Sequence, residues 1–375
     1  MTLTRLLAAT VATLTLAACA DAPEPAAEAT PHGYVAGAEE LPEPRPAIAY
    51  ATRGGDRLHL LDLTGETETH VALRVGAQRI VEDGRFVYVD AGDGRVEIVD
   101  AGVWTVDHTD HVHYYRAPAR SLGVLTLDAP ATTIAGAGAH TAIGTTSGRV
   151  TVLDRRALES GAIVERTTLG SATLAVPYAD ALLVATGGRL VATDADGRRT
   201  GKLAVACSAP RGWAVLRGGA VIACENSVVR VKERLTAVTL PASAVPLPTT
   251  GWAYRPRSNE AATTDGTGIW SVNASTGTLR HVPGRDRAAV ASPADGATVL
   301  ALDSNGVLTS VDLNRGTVLA TASVRGESLT LDVNRAYLAE PRARVVHEID
   351  YRDGLRTART LRVSARPDLA VEVGR

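Results

Sequence analysis

From residue 47 onward, short runs in which Val, Leu, Ile and Thr recur at every second position are separated by Gly, Asp and Asn turns, and helical periodicity is scarce. Runs of this kind predict half-buried β-strands, because successive side chains of a strand point to opposite faces. One phrase recurs: a glycine turn, an alternating apolar strand, then an Asp or its substitute opening a second turn. It ends at Asp62, Asp100, Asp154, Asp194, Lys232, Asn273, Asp312 and Asp350, at intervals of 38, 54, 40, 38, 41, 39 and 38 residues. A period near forty residues made only of strand is the signature of four-stranded propeller blades. The fold class predicted is all-β: a β-propeller of eight four-stranded blades, or of seven if the phrase at Lys232 is a decayed copy. The last residues, Asp368 to Arg375, resemble the inner strand around Arg79 to Arg85, whereas the repeating body opens at Ile48-Ala49-Tyr50, where a second strand belongs. The C-terminal strand is therefore expected to join the N-terminal blade and close the ring, removing the sheet edges. The repeating aspartates read as turn residues that bond local backbone.

The first 46 residues read differently. Arg5 precedes an apolar run from Leu6 to Ala18, too short to span a bilayer and suited to a signal-peptide core. The run ends in Leu16-Ala17-Ala18-Cys19, which resembles a bacterial lipobox. Residues 1–18 are thus expected to be a lipoprotein signal peptide, with Cys19 lipidated and the mature chain lipid-anchored at the outer face of the cell membrane, or periplasmic. Residues 19–46 carry six prolines and six acidic side chains against one basic residue, Arg45, with His32 among them. They are expected to form a flexible acidic tether, and residues 47–375 the propeller domain.

Composition removes several function classes. The chain has 375 residues, is 45% hydrophobic and carries a net charge of -2, which supplies a large core and no basic surface for nucleic acid. No G-x-S-x-G, H-E-x-x-H or dinucleotide-binding glycine pattern is present, so no enzyme is expected. In an exported chain the remaining pair Cys207 and Cys224 reads as a structural disulfide. The single methionine, Met1, goes with the signal peptide, which disfavours Cu(I).

The 54-residue interval holds the candidate chemistry. Its extra chain, around Val103 to Arg120, contains His108, His111 and His113 together with Asp107 and Asp110. If it runs extended, Asp107, His111 and His113 share one face, and two imidazoles two residues apart can meet one ion such as Zn, Cu, Ni or Fe. His140, behind the glycines of Gly136-Ala137-Gly138-Ala139 on the next blade, is a candidate further ligand. The plain alternative is a polar loop with exposed histidines. His59, His70, His281 and His347 fall in repeat strands or outer positions and read as structural or surface residues.

The string Asp107-His108-Thr109-Asp110-His111-Val112-His113-Tyr114-Tyr115-Arg116-Ala117 resembles the DH-x-DH-x-HYYRA segment of the AztD-type zinc metallochaperones. Residues 31–40, Pro-His-Gly-Tyr-Val-Ala-Gly-Ala-Glu-Glu, resemble that family's N-terminal HGYV-x-GAEE segment, and the cysteine pair and the final Glu372-Val373-Gly374-Arg375 also look familial. The resemblance implies an exported propeller that binds Zn2+ and delivers it to the solute-binding protein of a zinc ABC importer. Carried over by position, it implies His108, His111 and His113 as metal ligands; His140 rests on the geometric argument, and Asp107 and His32 are further candidates. One departure matters: Arg211-Gly212 stands where the family has His-Gly, so a site depending on that histidine would be missing here. A monomer without nucleic-acid contacts is expected, and the rival reading is a non-catalytic propeller scaffold for protein–protein interaction.

Overall fold

A computed structural model describes residue 35 and residues 37–108, 111–241, 247, 251–255, 257–264, 266–284, 289–291 and 296–374. His32, Cys19 and the expected signal peptide lie outside the described residues. The fold is an all-β propeller architecture; among the described residues the helices are one short turn at Arg155–Glu159 and a single 3-10 turn at Glu233–Leu235. Among the described residues no helix is long and apolar enough to cross a membrane.

The described residues form eight four-stranded antiparallel sheets. The first draws its inner strand, Leu369–Val373, from the C-terminus and continues outward through Ala47–Ala51, Arg57–Asp62 and Glu68–Ala72. Register places Ala47 opposite Val373 and Ala51 opposite Leu369, so a strand from each end of the chain shares one ladder. The second sheet runs Arg79–Glu82, Phe86–Asp90, Arg95–Asp100 and Arg120–Thr126, with the extra chain inserted before its outermost strand. Six more sheets follow in chain order over residues 131–169, 174–206, 212–241, 253–283, 289–323 and 328–362. The recurring phrase is the third strand of each sheet. The copy at Lys232 follows such a strand, Ser227–Val231, in a complete four-stranded sheet.

Alternation gives each sheet two apolar faces, and the core is divided accordingly. One cluster, with Ala49, Leu58, Val87 and Val89, lies between the first and second sheets, and Phe86, Tyr88, Ile143 and Leu153 lie between the second and third. The series continues through Val152 with Leu182, Leu183 with Ile222, Val221 with Trp270, Ile269 with Val299, and Leu302 with Leu338. Ile48 and Tyr50 then pack with Tyr337 and Val346, joining the eighth sheet to the first. The turn aspartates behave as expected: Asp62 accepts from the backbone N–H groups of Thr64 and Gly65, and Asp312 from those of Asn314 and Arg315. Inner strands line an axial cavity of about 1080 Å3.

Candidate metal centre

The extra chain is a hairpin with strands Val103–Asp107 and Val112–Arg116. It leaves the second sheet at Gly102, whose φ is +72° and where an added Cβ would lie 2.2 Å from the Ala117 carbonyl oxygen. Only glycine fits that crossing. The root is fixed by aromatic packing: Trp104 stands opposite Tyr115 with ring centroids 5.4 Å apart, and the Arg85 guanidinium lies 3.8 Å from the Trp104 ring centre. Arg85 is itself paired with buried Asp100 at 2.8 Å. At the tip the chain reverses, with the His108 N–H donating to the His111 carbonyl at 3.0 Å.

That reversal assembles the imidazoles. His108, His111 and His113 offer donor atoms that all lie within 4.8 Å of one another, with ring centroids 4.9 to 5.3 Å apart. Zn–N bonds of about 2.0–2.1 Å at tetrahedral angles put donors about 3.4 Å apart, a contraction that small side-chain rotations supply. Three imidazoles gathered on a half-exposed tip are a donor set that could hold a metal ion.

The arm supplies a further group. Residues 39–41, expected to be flexible tether, instead form a strand that pairs with the hairpin, Glu39 opposite Arg116 and Leu41 opposite Tyr114. The pairing satisfies an exposed hairpin edge, and Glu39 adds an ion pair to Arg116 at 2.6 Å. Glu40 Oε1 lies 2.6 Å from His113 Nδ1. A carboxylate only accepts, so Nδ1 carries the proton and the lone pair sits on Nε2, free to face a metal. Burial, and after it the Glu40 charge, raises the pKa of the neighbouring Tyr115 phenol.

The expected face of Asp107, His111 and His113 does not form. Alternation holds along each strand but cannot be counted from one strand across to the other, so Asp107 emerges on the opposite face from His113. It pairs with Arg257 at 3.6 Å and lines the axial cavity, while His108 takes its place among the clustered side chains. His140 opens the strand His140–Thr145, opposite Ala137 and Asp154, and is not part of the histidine group. Asp110 lies outside the described residues. Glu40 carried only a weak sequence signal, an acidic pair in a proline-rich arm, because nothing local says which strand it will meet.

No family model matches this chain, and no curated protein matches it either. Among solved structures, it is similar to AztD from Citrobacter koseri, with a TM-score of 0.71, 16% identity, and coverage of 88% of this chain and 97% of that one. The apo structure of the same protein gives a TM-score of 0.73 at 15% identity, covering 88% and 98%. The chain has an AztD-type fold. The dihydro-heme d1 dehydrogenase NirN, in complex with DHE, is a more distant likeness, with a TM-score of 0.58, 14% identity, and coverage of 90% and 76%.

Within this AztD-type propeller the cysteine pair is joined: Cys207 and Cys224 form a disulfide with Cα atoms 5.2 Å apart. It ties the outer end of the fourth sheet to the second strand of the fifth inside their shared apolar cluster. Arg211, at the position where the family resemblance implied histidine, donates to the Leu247 carbonyl at 2.6 Å and lines the axial cavity. His59 bonds Glu68 at 2.8 Å and His347 bonds Glu340 at 2.9 Å, both as structural contacts between or beside strands.

Proposed function

We propose that this protein is a zinc-binding metallochaperone, non-catalytic, that passes Zn2+ to the solute-binding protein of a zinc ABC importer. The observation that carries the reading is the convergence of His108, His111 and His113 on one tip with Glu40 behind His113. Three imidazoles suit zinc, and a three-ligand site open to solvent lets an acceptor's ligand enter before the donor's ligands leave. Direct transfer by ligand exchange needs that geometry; a closed four-ligand structural site would resist it. The AztD-type fold and the matching of the histidine segment to that family support the same reading.

The scaffold in this proposal is an eight-bladed ring closed by the C-terminal strand. Eight four-stranded sheets, eight apolar clusters between successive sheets and the pairing of Leu369–Val373 with Ala47–Ala51 support it. Export as a lipoprotein anchored through Cys19 follows from the Leu16-Ala17-Ala18-Cys19 sequence.

The test is metal analysis of untagged mature protein, dialysed against a weak chelator, beside His111→Ala/His113→Ala. Wild type is expected to retain zinc and to load the purified solute-binding protein; the double variant, equally folded, is expected to lose its tightest site. A wild-type chain that retains no zinc overturns the proposal in favour of a protein-binding propeller platform, and so does unchanged stoichiometry in the double variant.

A further inference from the structure

The inserted hairpin belongs to the second sheet, yet Asp107 at its tip pairs with Arg257, which precedes the second strand of the sixth sheet. Following the apolar clusters from sheet to sheet, those two sheets stand four apart in either direction. A side-chain pair that joins them must therefore lie across the opening of the ring. Two further observations place the hairpin there. Asp107 and Arg257 both line the axial cavity, and the hairpin residues Thr105 and Tyr114 line a second cavity, of about 440 Å3, together with Arg257. Thr105 also donates to the carbonyl of Gly374, at the end of the strand that enters the first sheet, at 3.2 Å.

Arg257 is held in an unusual backbone state. Its φ is +64°, the left-handed region that side chains with a Cβ adopt at a cost, inside a turn closed by the Ser258 N–H donating to the Arg255 carbonyl. That turn aims a guanidinium at the hairpin.

We propose that the hairpin is a cap latched over the mouth of the axial cavity by the Asp107–Arg257 pair, and that the latch positions the metal site through His108. His108 is the residue after Asp107 and the first of the turn that brings the imidazoles together, so fixing Asp107 fixes the backbone from which His108 projects. Asp107 and Arg257 are positioning residues; neither is among the clustered donors. Alternation assigns the two faces of the hairpin their tasks: Asp107 and Thr105 face the ring opening and hold the cap, while His113 and Tyr115 face the other way. The proposal rests on the zinc reading for its functional consequence and on geometry alone for the latch.

The experiment uses the full mature chain and four proteins: wild type, Asp107→Arg, Arg257→Asp and the double exchange. Zinc affinity is measured by competition with a chromogenic chelator, and hydrogen exchange is followed across residues 103–116 in the metal-free state, with thermal unfolding as the control for the ring. A pair exposed to this degree contributes modestly, so each single variant is expected to bind zinc about fivefold more weakly at unchanged stoichiometry. Each is also expected to exchange faster across the hairpin, and the double exchange to restore both readouts. A purely local role for either residue would not be rescued by reversing the pair. Losses that simply add in the double variant, or singles indistinguishable from wild type, overturn the latch. If wild type binds no zinc, the metal reading fails while hydrogen exchange still decides the cap.

Discussion

At the scale of single residues, carboxylates do different work according to what surrounds them. Glu40, an exposed residue of the arm strand, fixes the tautomer of His113. Outer-shell partners of ligating histidines typically change metal affinity by about ten- to a hundredfold. Glu40→Ala is therefore expected to weaken zinc binding within that range while leaving stoichiometry and unfolding temperature unchanged, as read by competition titration. The Asp83 side chain is buried: burial alone would raise its pKa, but Arg155 at 2.8 Å, with hydrogen bonds from Phe86 N–H and Tyr88, holds it below the usual carboxylate range. A pKa lower in the folded than in the unfolded chain stabilises the fold above the unfolded value, about 3.9, and that stabilisation is lost as pH falls through the folded value. Asp83→Asn is expected to destabilise the protein by about 3 kcal/mol near neutrality, since it leaves Arg155 without its buried partner. The deficit should narrow on acidification below about pH 4, which denaturant titrations at several pH values would measure.

At the scale of elements, the hairpin, the arm strand and the disulfide are additions to a repeating plan, and each is secured differently. The hairpin is bolted by Trp104, Tyr115 and Arg85, and the arm by three residues of ladder and an ion pair. So short a strand has little stability of its own and depends on the hairpin edge it pairs with. The disulfide closes a loop of separation 17 between neighbouring sheets. In the chain-entropy model a loop of that size is worth about 3 kcal/mol. Cys207→Ala/Cys224→Ala is expected to lower stability by roughly that amount without altering zinc affinity, and thiol titration of the unfolded, unreduced chain should find neither cysteine free.

At the scale of the whole molecule, the ladder between Ala47–Ala51 and Leu369–Val373 makes the first sheet depend on both ends of the chain. Gly374 shows how closely these ends are packed: its φ is +82°, its N–H donates to the Gly84 carbonyl at 2.8 Å, and an added Cβ would lie 2.6 Å from the Arg45 carbonyl oxygen. Removing residues 369–375 strips the first sheet of its inner strand and exposes the edge at Ala47–Ala51, together with part of the cluster containing Val373. The truncated chain is expected to lose its single cooperative unfolding transition and to associate at micromolar concentration, as calorimetry and size-exclusion chromatography would report. Retention of a wild-type transition would show that the ladder is dispensable.

Much of the fold was legible along the chain because a propeller is periodic. Alternation at period two names strands, the near-forty-residue interval names four-stranded sheets, and the mismatch between the opening at Ile48 and the ending at Val373 names the strand they share. The disulfide was readable from the cysteine count together with the expected export, and the histidine cluster from the length of one interval and the spacing of His108, His111 and His113. The rest depended on contacts between residues far apart in sequence. Counting alternate residues from one strand into the next put Asp107 with His111 and His113, and the antiparallel pairing of the two strands broke that count. The arm read as tether because prolines and acids describe a solvated segment, and only the free edge of the hairpin turned Glu39–Leu41 into a strand and brought Glu40 to His113. Asp107 meets Arg257 across 150 positions of sequence, as their numbering shows. Local pattern decides which residues alternate and where the chain turns; which turn lies over which mouth is settled only when the apolar faces of the sheets pack.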